Sequence, residues 1–458
     1  MLSQFVWILA VGGIFAFVAA FGIGANDVAN AFATSVGSGA LTIKHAIILA
    51  SIFEFSGALF MGEHVVKTIQ SGISNQTCFQ DDPGLLMYGC MCVLLSVAIW
   101  LVLASYLEMA VSTTHSCVGG MIGMTMVARG SSCVIWYAKT SQFPYVKGVV
   151  AIIVSWFLSP IISALFAALL FVILRNFVLR SPNSFKRMHY VFPVLVACTF
   201  IVNTFFIVYK GAKFLKLDKT SVSTACAVSF GIGGGMGIIT YFFINPYVFK
   251  KRDIQVHIQE IEDGTVQAIH QNAEKFDEQT EYSMRYLQIL TACCDSFAHG
   301  ANDVANSIGP FAAIYVIYKS GKVEKNANMG SDAYWILAIG ATGIVAGLAL
   351  YGYKILYALG TKMAKMTPSR GICIELGAAC IIILGSRLGW PLSTTHCQVG
   401  ATVGVALFEG TAGVNWKLLY KTLFGWVITL VVVALSTVIL FSQGAYAPMV
   451  KYPSYILH

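Results

Sequence analysis

Apolar stretches long enough to cross a bilayer recur from one end of this 458-residue chain to the other. FVWILAVGGIFAFVAAF (Phe5 to Phe21) and YVKGVVAIIVSWFLSPIISALFAALLFVIL (Tyr145 to Leu174) are two of them. Roughly 20 such residues let a helix span the hydrocarbon core. In lipid every backbone polar group needs a partner inside its own helix or inside a closed barrel. A barrel would show short alternating segments, so the expected fold is all-α, a polytopic transmembrane helical protein. Hydrophobic residues make up 57% of the chain and charged residues only 11%, against about 25% charged in a soluble domain. Apolar segments fall at 4–23, 45–62, 85–106, 117–128, 146–174, 191–209, 222–248, 286–297, 333–358, 371–386, 397–408 and 417–442, which predicts about 10–12 spans.

The first run has no positively charged flank and no clear small-residue cleavage site after it, so a retained helix fits better than a removed signal peptide. Residues 250–285 are hydrophilic and lack long apolar runs. They read as a cytoplasmic connector, a solvated linker without chemistry of its own. Basic clusters at Arg175, Arg180, Lys186 and Arg187 and at Lys250, Lys251 and Arg252 are separated by two spans and share one face, which the positive-inside rule makes cytoplasmic. Lys210, Lys213, Lys216 and Lys219 then lie outside, against that rule. Asn75-Gln76-Thr77 is a glycosylation sequon in a polar loop, and an extracellular loop there agrees with the clusters. The N-terminus is then extracellular. The net charge of +8 speaks to topology and anionic lipid rather than to nucleic acid. Most of the twelve cysteines, such as Cys90, Cys92, Cys198, Cys226 and Cys380, sit in apolar runs and read as small core residues, not zinc ligands. Cys78 and Cys133 lie in or near loops, where a disulfide is open to them and nothing in the sequence demands it.

Two words occur twice. GANDVAN runs from Gly24 to Asn30 and again from Gly300 to Asn306; STTH runs from Ser112 to His115 and again from Ser393 to His396. The offsets, 276 and 281 residues, nearly agree. One duplication explains both, since chance would not keep order and spacing together. The two GANDVAN copies are entered from opposite faces of the membrane, as in the inverted repeats of transporters. The chain then divides into a first transmembrane repeat (1–174), additional transmembrane helices with a basic loop (175–249), the connector (250–285) and a second, inverted repeat (286–458).

Gly24 and Gly300 allow the backbone to leave helical geometry, and Asn and Asp favour helix N-termini. An unwound point at membrane depth is tolerated only where it lines a polar cavity, so discontinuous helices are expected. Intramembrane carboxylates mark ion or substrate sites by default; the bland alternative is that Asp27 and Asp303 merely cap helices. Pro391 fits a helix start, and Ser112, Thr113, Thr114, Ser393, Thr394 and Thr395 would present hydroxyls at the positive end of a helix dipole, a site for phosphate or sulfate. Taken singly, an STTH word would more often bond back to helical carbonyls. His115 and His396 either orient those hydroxyls and carry protons or are packed, satisfied histidines. Glu54 and Glu375 also lie in apolar runs and lean functional, at positions that the repeat does not relate. The glycines of GIGGGMG (Gly231 to Gly237) lack a following Lys-Ser or Lys-Thr and read as a close helix-packing face. An oxyanion between two aspartates would be repelled in a low-dielectric pocket, so cations must enter with it or protons must neutralise the acids.

GANDVANAFATSVGSGALT, FAHGANDVANSIGPFAA, the residues around Glu54 and both STTH words closely resemble the inorganic phosphate transporter (PiT) family over nearly the whole chain. The resemblance implies two inverted repeats and phosphate uptake commonly coupled to sodium. It assigns Asn26, Asp27, Asn302 and Asp303 to the cations, and the two STT words with the aspartates nearby to phosphate. Glu54 and Glu375 match transport-linked glutamates. The connector is short beside the large intracellular loop of mammalian members. The expected function is a sodium-driven phosphate importer in the plasma membrane, not an enzyme, with no cofactor beyond sodium as co-substrate. Homodimerisation is open to it. A proton-coupled phosphate or sulfate permease is the alternative, and an exporter or channel is the weaker one.

Overall fold

The computed structural model of the protein describes residues 3–27, 29–141, 145–209, 217, 219–251, 263–323, 330 and 333–447. Lys210, Lys213 and Lys216 of the basic loop, and residues 252–262 of the connector, lie outside them. The chain is almost entirely helical. The first half holds α1 (Val6–Asn26), α2 (Ala29–Gly37), α3 (Ile43–Met61), α4 (Glu63–Ser71), α5 (Pro83–Tyr106), α6 (Thr113–Arg129) and α7 (Val149–Leu174), with a two-stranded hairpin, β1 (Ala138–Lys139) and β2 (Val146–Lys147), before α7. An outlying pair follows, α8 (Ser184–Val208) and α9 (Val222–Ile239), then α10 (Asn245–Val248) and α11 (Gly264–Asn272). The second half holds α12 (Glu278–Ser320), α13 (Tyr334–Tyr351), α14 (Tyr353–Lys362), α15 (Pro368–Arg387), α16 (Thr394–Ala406) and α17 (Trp416–Ala445).

Among the described residues nine helical stretches are long and apolar enough to cross a membrane, fewer than the segments counted in the sequence. The segments at 117–128 and 397–408 are α6 and α16, of 17 and 13 residues, short of the roughly 20 that a span needs. The segment at 286–297 is a piece of α12, whose 43 residues run about 64 Å at 1.5 Å per residue. Side chains divide as lipid dictates: Phe157, Leu165, Phe243, Val427 and Ile439 point outward, whereas Asp27, Glu54, Asp303 and Glu375 are buried.

The duplication reappears in the packing. α1 lies against α5 and α13, and α12 lies against α15 and α3; α6 packs on α17, and α16 on α7. Each helix of one half thus meets a partner whose counterpart meets its own counterpart. Glycines set the crossings. A Cβ on Gly24 would fall 1.8 Å from the Ile344 carbonyl oxygen, and one on Gly300 would fall 2.2 Å from that of Glu54. The reciprocal glycines are Gly347 against Phe21 and Gly57 against Phe297, at 1.9 and 2.0 Å. The expectation that Gly24 and Gly300 open a backbone break is therefore corrected: both sit inside helices, and their missing Cβ lets a neighbouring helix approach. In the first GANDVAN, α1 ends at Asn26 and Asp27 lies in a turn, while the second lies within the continuous helix α12. In GIGGGMG, Gly233 and Gly237 face α8, but a Cβ on Gly231, Gly234 or Gly235 would meet open space, so less than half of that face is a packing face.

The links into the short helices match as well. Glu108 and Gly389 both turn with positive φ, 54° and 68°. Pro391 lies in this link, two residues before the N-cap Ser393, and not at the helix start expected for it. The connector is no free linker either. Glu274 accepts from Arg175 Nε (2.7 Å) and Arg180 Nε (2.8 Å), and its carbonyl accepts from Arg370, which pairs with Glu409 Oε1 at 2.5 Å. Cys78 and Cys133 form a disulfide that ties the loop after α4 to the turn after α6.

Gly24→Ala or Gly300→Ala should lose at least the ~1–3 kcal/mol typical of overpacking, seen as a lower melting midpoint in detergent, whereas Gly231→Ala should not; equal midpoints would refute the close crossings. Glu108→Gly should stabilise by about 1 kcal/mol, the relief of a left-handed non-glycine residue, and so raise the midpoint; a fall would contradict that strain.

Candidate substrate and cation site

The candidate site grows from two helix ends and two carboxylates. Ser112 and Ser393 are the N-caps of α6 and α16; each hydroxyl accepts the backbone N–H three residues on, His115 or His396, at 3.3 Å. Capping of this kind leaves the next side chains pointing out over the helix end, where the first N–H groups lack intrahelical acceptors and the macrodipole is positive. Thr113 Oγ1 donates to Asp27 Oδ2 at 2.9 Å and approaches Asp303 Oδ2 at 3.4 Å. Thr394 Oγ1 mirrors it, donating to Asp303 Oδ2 at 2.7 Å and approaching Asp27 Oδ2 at 3.5 Å. Two half-helices from different halves of the chain thus converge on one pair of carboxylates.

The second threonines close the site across the halves. Thr114 Oγ1 donates to the Leu392 carbonyl at 2.8 Å, and Thr395 Oγ1 reaches the Val111 carbonyl at 3.5 Å and Asp27 Oδ1 at 2.5 Å. The six threonine and aspartate side chains are at most 1% exposed.

Three residues that the sequence motifs did not single out complete the cluster. Asn30, the last letter of the first GANDVAN, donates to Asp27 Oδ1 and to Thr395 Oγ1. Asn306, its counterpart, donates to Thr113 Oγ1 at 3.1 Å, Thr114 Oγ1 at 3.2 Å and Asp303 Oδ1 at 3.4 Å. Their repetition three residues after each aspartate, one helical turn away, was the signal available. His299 lies one turn before Asp303. Its Nδ1 bonds Glu54 Oε2 at 2.8 Å and its Nε2 sits 3.0 Å from Asp303 Oδ2. Asp27, His299 and Asp303 each offer an atom within 4.8 Å of the others. The first repeat has Ile23 at the matching position, so duplication did not flag the histidine.

The remaining expected residues fall in two groups. Glu54 joins the site through His299 and also accepts from Ser296 at 3.0 Å. Glu375 stands apart, accepting from Thr34 (2.6 Å), Ser35 (2.7 Å), Gln288 (3.2 Å) and Thr291, and so ties α2 to α12 and α15. Asn26 turns toward the link after α5, whereas the Asn302 amide nitrogen reaches both the Leu392 carbonyl and Asp303 Oδ1, each at 3.1 Å. Asn26 accepts from Val111 N at 3.0 Å and donates to the Met109 carbonyl at 2.8 Å, and both asparagine amides lie 3.2 Å from a helix-end serine, Ser105 or Ser386. His115 and His396 stack on Trp156 and Trp426 at 3.6 and 3.5 Å, and His396 Nδ1 contacts the Trp156 carbonyl at 2.9 Å. Both are packed against rings, yet His115 Nδ1 and His396 Nε2 are buried without a hydrogen-bond partner among the described residues, so they are packed but not fully satisfied. Asn75 lies in the loop after α4 with its Oδ1 accepting from Thr77 N and Oγ1.

Chemically, the site offers carboxylate oxygens, hard ligands suited to small cations, beside hydroxyl donors and two helix N-termini suited to an oxyanion. Residues 23–437 match the phosphate transporter family. The chain is 29% identical to the phosphate-repressible phosphate permease pho-4 of Neurospora crassa, over 94% of this chain and 96% of that one. It is 36% identical to the chloroplastic inorganic phosphate transporter 2-1 of Arabidopsis thaliana, over 93% of this chain and 70% of that one. A solved structure described as the sodium-dependent phosphate transporter superposes with a TM-score of 0.82 at 31% identity, covering 95% of this chain and 98% of that one. Fold, site and relatives agree: the chain is an integral membrane protein that belongs to the phosphate transporter family, a family of transporters rather than enzymes.

Proposed function

We propose that the protein imports inorganic phosphate on the inward sodium gradient, by alternating access around Asp27 and Asp303. The observation that carries this reading is the sharing of Thr113 and Thr394: each hydroxyl reaches both carboxylates. A hydroxyl has one proton to donate. While it donates to a carboxylate it cannot donate to phosphate. Sodium bound at Asp27 and Asp303 takes over the carboxylate oxygens, and the four threonine hydroxyls turn to the phosphate oxygens under the two helix N-termini. The anion therefore binds well only after the cations, which is the coupling a symporter needs. The structural neighbour is described as sodium-dependent, and that likeness supports the choice of ion.

Swapped packing of the two halves supports an inverted repeat, in which one half rocks against the other around this fixed site. The disulfide Cys78–Cys133, which suits an oxidising compartment, and the sequon at Asn75 lie in one region and support its assignment to the outside. The N-terminus is then extracellular, residues 250–285 are cytoplasmic and the membrane is the plasma membrane. The chain Glu54–His299–Asp303 favours a second reading, proton coupling, because a histidine between two carboxylates can hold a proton in place of a cation.

Uptake of labelled phosphate into proteoliposomes in sodium, lithium and choline media decides between them. Sodium should be required, and Asp27→Asn or Asp303→Asn should cut uptake at least about a hundredfold in protein that still elutes as folded, about 3 kcal/mol. Equal uptake in choline would refute sodium coupling, and pH-driven uptake lost in His299→Gln would establish the second reading. Thr113→Val combined with Thr394→Val should weaken phosphate binding roughly 10–100-fold, as expected for lost hydrogen bonds to a charged group; near-normal affinity would remove the threonines from the site.

A further inference from the structure

A cavity of about 440 Å³ opens between the end of α4, the β1–β2 hairpin and the link into α16. Its ionisable lining side chains are His64, Lys67, Lys147 and Arg387, and among the described residues no carboxylate lines it. Its floor includes Arg387 through Pro391, the segment that leads directly into Ser393, the cap of the half-helix that carries Thr394 and Thr395. We propose that this cavity is a first binding station for phosphate on its way to the central site. The proposal rests on the transport reading above and adds a second anion site to it.

Three observations point to an oxyanion. First, Arg387 is held in place from two sides: Nη2 donates to the Tyr209 carbonyl and Nη1 lies 3.1 Å from His64 Nε2. Its Nε is buried with no acceptor among the described residues, so no carboxylate there offsets the guanidinium charge that lines the cavity. Second, the floor and rim are built rather than loose. Thr68 Oγ1 donates to the Gly389 carbonyl at 2.7 Å, and the rim is tied by Ile135 N to the Ile73 carbonyl (2.8 Å), Asn75 N to the Cys133 carbonyl (2.8 Å) and the Cys78–Cys133 disulfide. Third, the two links differ in charge among the described residues. The matching link in the first repeat carries Glu108, and the small pocket against it has Lys421 as its other ionisable residue, a balanced pair where the second repeat has four basic groups. A concave surface of single sign concentrates counter-ions and speeds their capture, so the station gathers anion on the side where the sequon and the disulfide lie. Sodium is repelled by the same groups and reaches the carboxylates without this help.

The test uses the full chain in liposomes of phosphatidylcholine alone, with and without added phosphatidylglycerol. Lys67→Gln combined with Lys147→Gln should raise the KM for phosphate about 5–10-fold at low ionic strength with Vmax changed less than about twofold, the difference shrinking as salt screens the charges. The Lys67→Arg, Lys147→Arg pair should restore the KM. A second readout needs no transport: phosphate titration should change the fluorescence of Trp390, taken as the difference from Trp390→Phe, and the double Gln variant should lose that change. An unaltered KM with unaltered Trp390 fluorescence would overturn the station. An effect seen only with phosphatidylglycerol would overturn it too and assign the cavity to a lipid headgroup. Absent uptake by the unmodified protein would count against the transport reading, while the fluorescence titration would still decide the station.

Discussion

Two buried carboxylates, Asp27 and Asp303, lie close enough to share the hydroxyls of Thr113 and Thr394. Two unit charges at this range repel by about 3–4 kcal/mol even at an effective dielectric near 20. The surrounding fold is arranged to hold them. Glycine crossings at Gly24 and Gly300 bring α13 and α3 within backbone contact of the helices that carry the aspartates. The links at Glu108 and Gly389 then turn the chain so that α6 and α16 present their N-termini to the same point. Donors from both halves meet the acids, and His299 links Asp303 to Glu54.

Much of this is legible in the sequence, for definite reasons. Apolar runs declare membrane helices because lipid leaves the backbone no alternative, and the duplicated words survive as a spacing that anyone can count. Asp27, Asp303 and the STT threonines stand out because charge and hydroxyl inside an apolar chain need an explanation. What does not appear there is information about contact. Hydropathy windows do not separate a 13-residue half-helix from a full span, so the segments at 117–128 and 397–408 look like the rest. Asn26 and Asn302 read alike in the sequence, yet Asn26 bonds the link after α5 while Asn302 reaches Asp303 and the Leu392 carbonyl, since a motif's letters do not say which way each side chain faces. His299 stays hidden because it breaks the duplication. Gly24 and Gly300 read as points of flexibility, when their office is to permit a close crossing.

The asymmetries carry as much weight as the symmetry. A perfectly duplicated transporter would treat its two faces alike. Here only the second copy has a histidine one turn before its aspartate, and among the described residues the cavity at the Gly389 link is lined by four basic side chains where the pocket at the Glu108 link has Glu108 and Lys421. On the other side, the connector is locked to α7 and α15 through Glu274, Arg370 and Glu409. The two approaches to the central site are therefore chemically different, although the site itself is close to symmetric.

The central claim is that cation binding frees the threonine hydroxyls for the anion. Equilibrium phosphate binding to purified protein, measured by calorimetry across a series of sodium concentrations, tests it most directly. The account requires phosphate affinity to rise with sodium, and sodium affinity to rise with phosphate by the same factor, because coupling between two sites is reciprocal. Phosphate affinity that stays constant from sodium-free buffer to saturating sodium would contradict it.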